Sequence, residues 1–196
     1  MTLYDLLFIL LFLTAVASLA FAAATALRGN GPRAGSIVKR VVLGAVVYLG
    51  VVWGVAFRSP GRILALGEDL CADDWCIAVT SVQPVSHDTV HGYEVIFRVS
   101  SRARAVNQRE RGVEAFVRDA HGQRYAGVRG PADSEFAVLL GPGAAVLTHR
   151  RYTLPADAMA RDVIITRVGV PFPSCCIIGD ATDLLRPPMV RIPEQR

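Results

Sequence analysis

The chain of 196 residues is long enough for one domain of moderate size and a further segment. Its apolar fraction of 52% is high for a soluble protein, and the excess is concentrated before residue 58. The net charge of +4 is local too: RGNGPRAGSIVKR holds Arg28, Arg33, Lys39 and Arg40 without an acid, whereas the residues after Phe57 carry 17 basic and 16 acidic groups, which excludes a global field that would recruit nucleic acid.

From Leu6 to Leu27 there are 22 residues without a charge, and from Val41 to Phe57 there are 17 more. At 1.5 Å per residue these make helices of about 33 and about 25 Å, against a hydrocarbon core of about 30 Å. Ile37 and Val38 extend the second span while Lys39 and Arg40 snorkel. Residues 1–57 therefore read as a transmembrane helical hairpin in contact with the lipid bilayer. A cleaved signal peptide competes for the first segment, since AFAAATA offers small-residue sites. Against it, MTLYD has no Lys or Arg, carries Asp5, and precedes an apolar run longer than a usual signal core.

The four basic residues between the spans, against Arg58 and Arg62 after the second, place that loop in the cytoplasm and both termini outside. Small residues recur at four-residue spacing, Ser18, Ala22 and Ala26 on the first helix and Gly50 and Gly54 on the second, a row that lets helix backbones approach in lipid. Packing within the hairpin is the simpler use of that row than a dimer motif. Neither span contains an ionisable residue, so the pair reads as an anchor rather than a transport path. Arg outnumbers Lys (Lys39 is the sole lysine) and Ala, Val and Gly are abundant, a usage associated with GC-rich bacterial coding.

Residues 58–70 read as a connector, broken by Pro60, Gly61 and Gly67. Beyond it the period changes to two. WCIAVTSV, YEVIFRVSS, VEAFVRDA, FAVLLG, AAVLTHRRYTL and DVIITRVGV are strand-like runs, with turns at HDTVHG, DAHGQ, LGPGA and LPADAMA. In YEVIFRV, Tyr93, Val95, Phe97 and Val99 share one face, and Glu94, Ile96 and Arg98 the other. With no long amphipathic helix between the runs, residues 71–196 are expected to form an antiparallel β-sandwich.

The segments CADDWCIAV, SSRARAVNQRERGVEAFV and FAVLLGPGAAVLTHRRYTLPADA together resemble a group of uncharacterised bacterial membrane-anchored proteins with an extracytoplasmic immunoglobulin-like β-sandwich. The likeness covers most of residues 71–192. It implies a strand, a Gly-Pro-Gly turn and a second strand ending in Leu-Pro at one edge of the sandwich. It carries over no catalytic residue.

CADDWC raises three chemistries. A redox motif of the thioredoxin kind needs two intervening residues and a helix N-terminus; here four intervene and Cys76 begins a strand. Outside the cytoplasm a Cys71–Cys76 disulfide is favoured. Closing so small a loop contributes about 2 kcal/mol in the chain-entropy model, whereas bridging Cys71 or Cys76 to Cys175 or Cys176 would contribute about 4–5 kcal/mol. Four cysteines permit three pairings; Cys71–Cys76 is preferred, which leaves Cys175 and Cys176 in FPSCCIIGD as thiols. On a strand those two would point to opposite faces. A four-cysteine Zn²⁺ or Cu(I) site is the competitor, but its spacings do not match a zinc ribbon and Cys-x-Cys is absent.

Asp73 and Asp74 read as solvated turn acids and Trp75 as a packed side chain. His87 and His91 lie in a turn where their spacing does not converge on a metal; His121 falls in a second turn and His149 on a strand. No nucleophile elbow, phosphate loop or dinucleotide fingerprint is present. Arg102, Arg104, Arg109 and Arg111, with only Glu110 among them, form a basic stretch open to an anionic partner or lipid headgroups. The expectation is thus a two-pass protein of the bacterial cytoplasmic membrane, displaying its C-terminal domain outside as an interaction or structural module, without catalysis, cofactor or resident metal, and with a protein partner of unknown identity. The alternative is a thiol-redox or copper/zinc-handling factor using Cys71, Cys76, Cys175 and Cys176.

Overall fold

The structure, a computed structural model, describes residues 3–87, 90–167, 174–177 and 180–192. It divides into two compact units, Met1–Pro60 with Pro171–Leu185, and Gly61–Val170 with Arg186–Arg196.

The first unit is built on α1 (Leu3–Leu27) and α2 (Gly31–Arg58), two antiparallel-connected apolar helices of 25 and 28 residues. α2 starts ten residues before the expected span. Gly29 takes φ +82° in the turn and Pro32 occupies the first helical turn, where its missing N–H is harmless. Arg33, Lys39 and Arg40 therefore lie on the first turns of α2 rather than in a loop. The apolar surface of both helices is bare: Leu10 is 63% exposed and Leu43 65%. The small-residue row on α2 is not its packing face, because a Cβ at Gly50 or Gly54 would meet nothing within 4 Å. The buried residues are Ala22 on α1 and Ala34, Val52 and Ala56 on α2. A short turn of 3-10 helix, Ser174–Cys176, and the helix α3 (Asp180–Leu185) belong to this unit; Ala181 of α3 packs on Val52 and Ala56.

Among the described residues the second unit has ten strands: β1 (Ile63–Leu64), β2 (Leu70–Ala72), β3 (Trp75–His87), β4 (Val90–Ser101), β5 (Val113–Asp119), β6 (Arg124–Ala126), β7 (Val128–Arg129), β8 (Ala145–Leu154), β9 (Ala160–Arg167) and β10 (Met189–Arg191). They form two five-stranded sheets, β1-β10-β9-β5-β6 and β2-β3-β4-β8-β7. Pairing is antiparallel except for β1 with β10, which is parallel. The sheet thus begins inside the expected connector: Leu64 is buried and pairs with Val190.

The core lies between the inner faces of the sheets. Val95, Phe97 and Val99 of β4 are fully buried, and Val113, Ala115 and Val117 of β5 are buried, with the exposed Glu114 and the half-buried Phe116 between them on the other face. A bulge in β3 shifts the register between Val79, opposite Phe97, and Ser81, opposite Ile96. The extra residue, Thr80, bonds the Ile96 carbonyl at 3.0 Å, and the bulge lets Ile77 and Val79 before it and Val82 after it all reach the core.

FAVLLG is not a strand. Phe136 and its neighbours form a turn, and only Leu140 makes an isolated bridge to Gln108. Phe136 is apolar because it plugs the core edge-on to Phe97, at 5.0 Å between centroids and 74° between planes. The turn expected at HDTVHG, the side chains of His87 and His91, and the last three residues of DVIITRVGV lie outside the described residues.

Candidate functional site

β2 and β3 form a hairpin whose two-residue turn is Asp73-Asp74, with Ala72 opposite Trp75 and Cys71 opposite Cys76. Asp73 takes φ +51°, which a short polar side chain tolerates better than a bulky one. Facing Cα atoms at such a pair come close, here 4.0 Å, and the sulfurs are joined in a disulfide. Cys76 is fully buried and Trp75 is 2% exposed, so the clip fastens the hairpin against the core.

Asp69, Cys71 and Cys76 bring ligand-type atoms within 4.8 Å of one another, the spacing of a metal site. The chemistry of the donors does not fit one. The two sulfurs are bonded to each other, and Asp69 accepts one bond from Arg98 at 3.0 Å and one from Arg102 at 2.8 Å. Burial pushes the Asp69 carboxyl up, but the bonds from Arg102 and Arg98 outweigh it and hold the group below the usual carboxylate range. Asp69 is therefore a charge clasp between the start of the hairpin and the β4 end, which sequence spacing did not reveal because its partners are 29 and 33 residues away.

The four arginines of the basic stretch are engaged differently. Arg102 is committed to Asp69, and Arg109 donates to the Ala137 carbonyl at 2.7 Å. Glu110 pairs with Arg167 at 3.8 Å. Arg104 and Arg111 are exposed.

Further buried polar groups tie segments of the sandwich together. The Asp119 carboxylate accepts the His121 and Gln123 N–H groups, each at 2.9 Å, and the Tyr125 hydroxyl at 3.0 Å, which closes the β5–β6 turn. Asp162 forms a two-pronged pair with Arg118 at 2.7 and 3.0 Å across β9 and β5. Arg150 is buried on β8 and bonds the Ser134 and His149 carbonyls and the Thr148 hydroxyl. His149 lies on the same strand, as expected, and its N–H bonds the Asp133 carboxylate.

Cys175 and Cys176 are free thiols on the 3-10 turn, with sulfurs 3.3 Å apart. The turn makes both half-buried and convergent; the expectation of opposite faces assumed a strand. The Tyr48 hydroxyl of α2 bonds the Cys176 carbonyl at 2.8 Å. Burial, and then the bond and charge of Cys175, push the Cys176 thiol up to about 11.

The two sheets and their shared core define a β-sandwich carried on a chain with two long apolar helices. No protein-family model matches the chain, and neither does any curated protein. Among solved structures it is similar to MPT63, a secreted protein of Mycobacterium tuberculosis, at 13% identity over 56% of this chain and 92% of that one, with a TM-score of 0.44. An uncharacterised β-sandwich protein of Clostridium difficile 630 is similar at 7% identity over 69% and 97%, with a TM-score of 0.46. The yjhA protein of Bacillus subtilis is similar at 14% identity over 66% and 98%, with a TM-score of 0.41.

Proposed function

We propose that the protein is a two-pass anchor of the bacterial cytoplasmic membrane that displays an immunoglobulin-like β-sandwich outside the cytoplasm as a non-catalytic interaction or structural module. The observation that carries this reading is the bare apolar surface of α1 and α2, where Leu13 is 59% and Val46 61% exposed. Two such helices side by side, with their charges confined to the first turns of α2 and to the ends, have lipid as their natural solvent. The orientation is supported by Arg28 at the hairpin turn and Arg33, Lys39 and Arg40 on the first turns of α2. A Cys71–Cys76 disulfide agrees with an oxidising compartment for the sandwich. A structural role is supported by the use of Asp69, Asp119, Asp162 and Arg150 as ties between segments.

The test is fractionation. The full chain should remain with membranes after washing in alkaline carbonate, and protease added to intact spheroplasts should remove the sandwich epitope. Release by carbonate, or protection of the sandwich until lysis, would overturn the anchor or its orientation. For the interaction role, a photo-crosslinking residue at exposed Leu147 should give a discrete adduct in the membrane, whose absence from every exposed strand position would favour a purely structural part.

A further inference from the structure

Cys175 and Cys176 differ in kind from the pair that is already closed. Cys71 and Cys76 face each other across a hairpin and have no chemistry left to do. Cys175 and Cys176 are consecutive, free and 3.3 Å apart, in contact but not bonded. Their turn is held at its C-terminal end: the Cys176 carbonyl accepts the Tyr48 hydroxyl, and the next carbonyl, of Ile177, accepts the Ala181 N–H at 3.1 Å. Ala181 in turn is seated on Val52 and Ala56. A dithiol that converges on a turn fixed in this way loses little freedom when both sulfurs engage one reagent.

We propose that Cys175 and Cys176 form a reactive vicinal dithiol that exchanges with a disulfide donor and closes to a vicinal disulfide. Cys175 attacks one sulfur of the donor R–S–S–R, forming a mixed disulfide and releasing the first R–SH. Cys176 then attacks the Cys175 sulfur, forming the intrachain bond and releasing the second R–SH. The two thiol protons and two electrons leave with the two R–SH molecules. Cys175 is written as the attacking thiol because burial, and then the neighbouring sulfur, raise the ionisation of the Cys176 thiol. Closing the ring requires the sulfurs to approach from 3.3 Å to a bond of about 2.05 Å, through rotation of the backbone between the two residues. Tyr48 lies within the proposed second span, so reaction with an aqueous donor requires the turn to face water; phenylarsine oxide, which partitions into lipid, reads the dithiol where that span encloses it.

The test uses the full chain in lipid nanodiscs, equilibrated with mixtures of reduced and oxidised glutathione, quenched in acid, alkylated and mapped by mass spectrometry. As oxidised glutathione rises, both thiols should be lost together in a monomeric chain whose 175–176 peptide is two hydrogens lighter and carries no adduct. Reduced glutathione should restore both thiols while Cys71–Cys76 stays closed. In C176S, where the second attack is impossible, Cys175 should instead accumulate the glutathione adduct. One equivalent of phenylarsine oxide, a reagent that two close thiols chelate, should block both positions in the wild-type chain. The proposal is overturned if both thiols remain alkylatable at the highest oxidant level, if the wild-type chain accumulates glutathione adducts, or if the bonds formed are between chains.

Discussion

The Arg150 guanidinium lies 4.3 Å from the centroid of the Phe136 ring, inside the sandwich. Its terminal nitrogens reach the Ser134 carbonyl at 2.9 Å and the Thr148 hydroxyl and His149 carbonyl at 2.7 Å each. A cation on the inner face of β8 thus fastens the 134–136 turn, and Phe136 covers it. Burial pulls the Arg150 ionisation down from its ordinary value, but an arginine stays charged there. R150M should destabilise the sandwich by about 1–3 kcal/mol through loss of the bonds to the Ser134 and His149 carbonyls and the Thr148 hydroxyl, although Thr148 still donates to the Ser134 carbonyl. R150K should not rescue it, because an ammonium lacks the planar fork. Denaturant titration of the full chain reads this cleanly with Trp53 replaced by Phe, since Trp75 is then the sole tryptophan and sits in the core.

The disulfide hairpin gives a second prediction. Replacing Cys71 and Cys76 together by Ser should lower stability by about 2 kcal/mol and leave the fold intact. The same change should leave the metal content of the purified chain at zero, whereas stoichiometric Zn²⁺ or Cu(I) in the reduced wild-type protein, lost in the double variant, would revive the metal alternative.

Gly127 sits against the buried Tyr152 ring. A Cβ there would fall 2.6 Å from Tyr152 Cζ and 2.8 Å from Cε1. The ring is 1% exposed and its hydroxyl donates to the Ala115 carbonyl at 3.2 Å, so it has no room to retreat. G127A should cost about 1–3 kcal/mol through overpacking. Y152F, which loses only the hydrogen bond, should cost about 1 kcal/mol. Equal stability of G127A and the wild type would contradict the packing described.

Asp119 predicts a pH dependence. Burial pushes its carboxyl up, but the Gln123 N–H, the Tyr125 hydroxyl and the His121 N–H outweigh it and hold the group below its ordinary value. A lowered folded pKa contributes stability that is complete above the unfolded value of about 3.9 and is lost as pH falls through the folded one. The Tm difference between the wild type and D119N should be constant above about pH 5 and shrink below about pH 4. A difference that does not vary between those limits would show that the charge is not what closes the turn.

Period two was sufficient to place β4 with its inward residues and to mark β5 and β8 as strands, whereas on β8 Thr148 and Arg150 face inward and Leu147 outward, against polar–apolar alternation. The disulfide was legible because its partners are five residues apart. β1, β7 and β10 were not, since strands of two or three residues carry no period. Phe136 misled because an apolar plug in a turn has the composition of a strand. The Asp69 clasp and the Cys175–Cys176 convergence depend on where the chain returns in space, which no local pattern encodes.

In the proposed topology the hairpin turn is cytoplasmic and the sandwich is outside. Thiol labelling distinguishes the two sides in a chain with Cys175 and Cys176 replaced by Ser and Cys71–Cys76 left bonded. Ser36→Cys reports on the first turns of α2 and Arg104→Cys on the sandwich surface; both positions are exposed. With an impermeant maleimide on intact spheroplasts, Arg104→Cys should label at once and Ser36→Cys only after lysis. Immediate labelling of Ser36→Cys with protection of Arg104→Cys would invert the protein, and immediate labelling of both would mean that the helices do not cross a membrane.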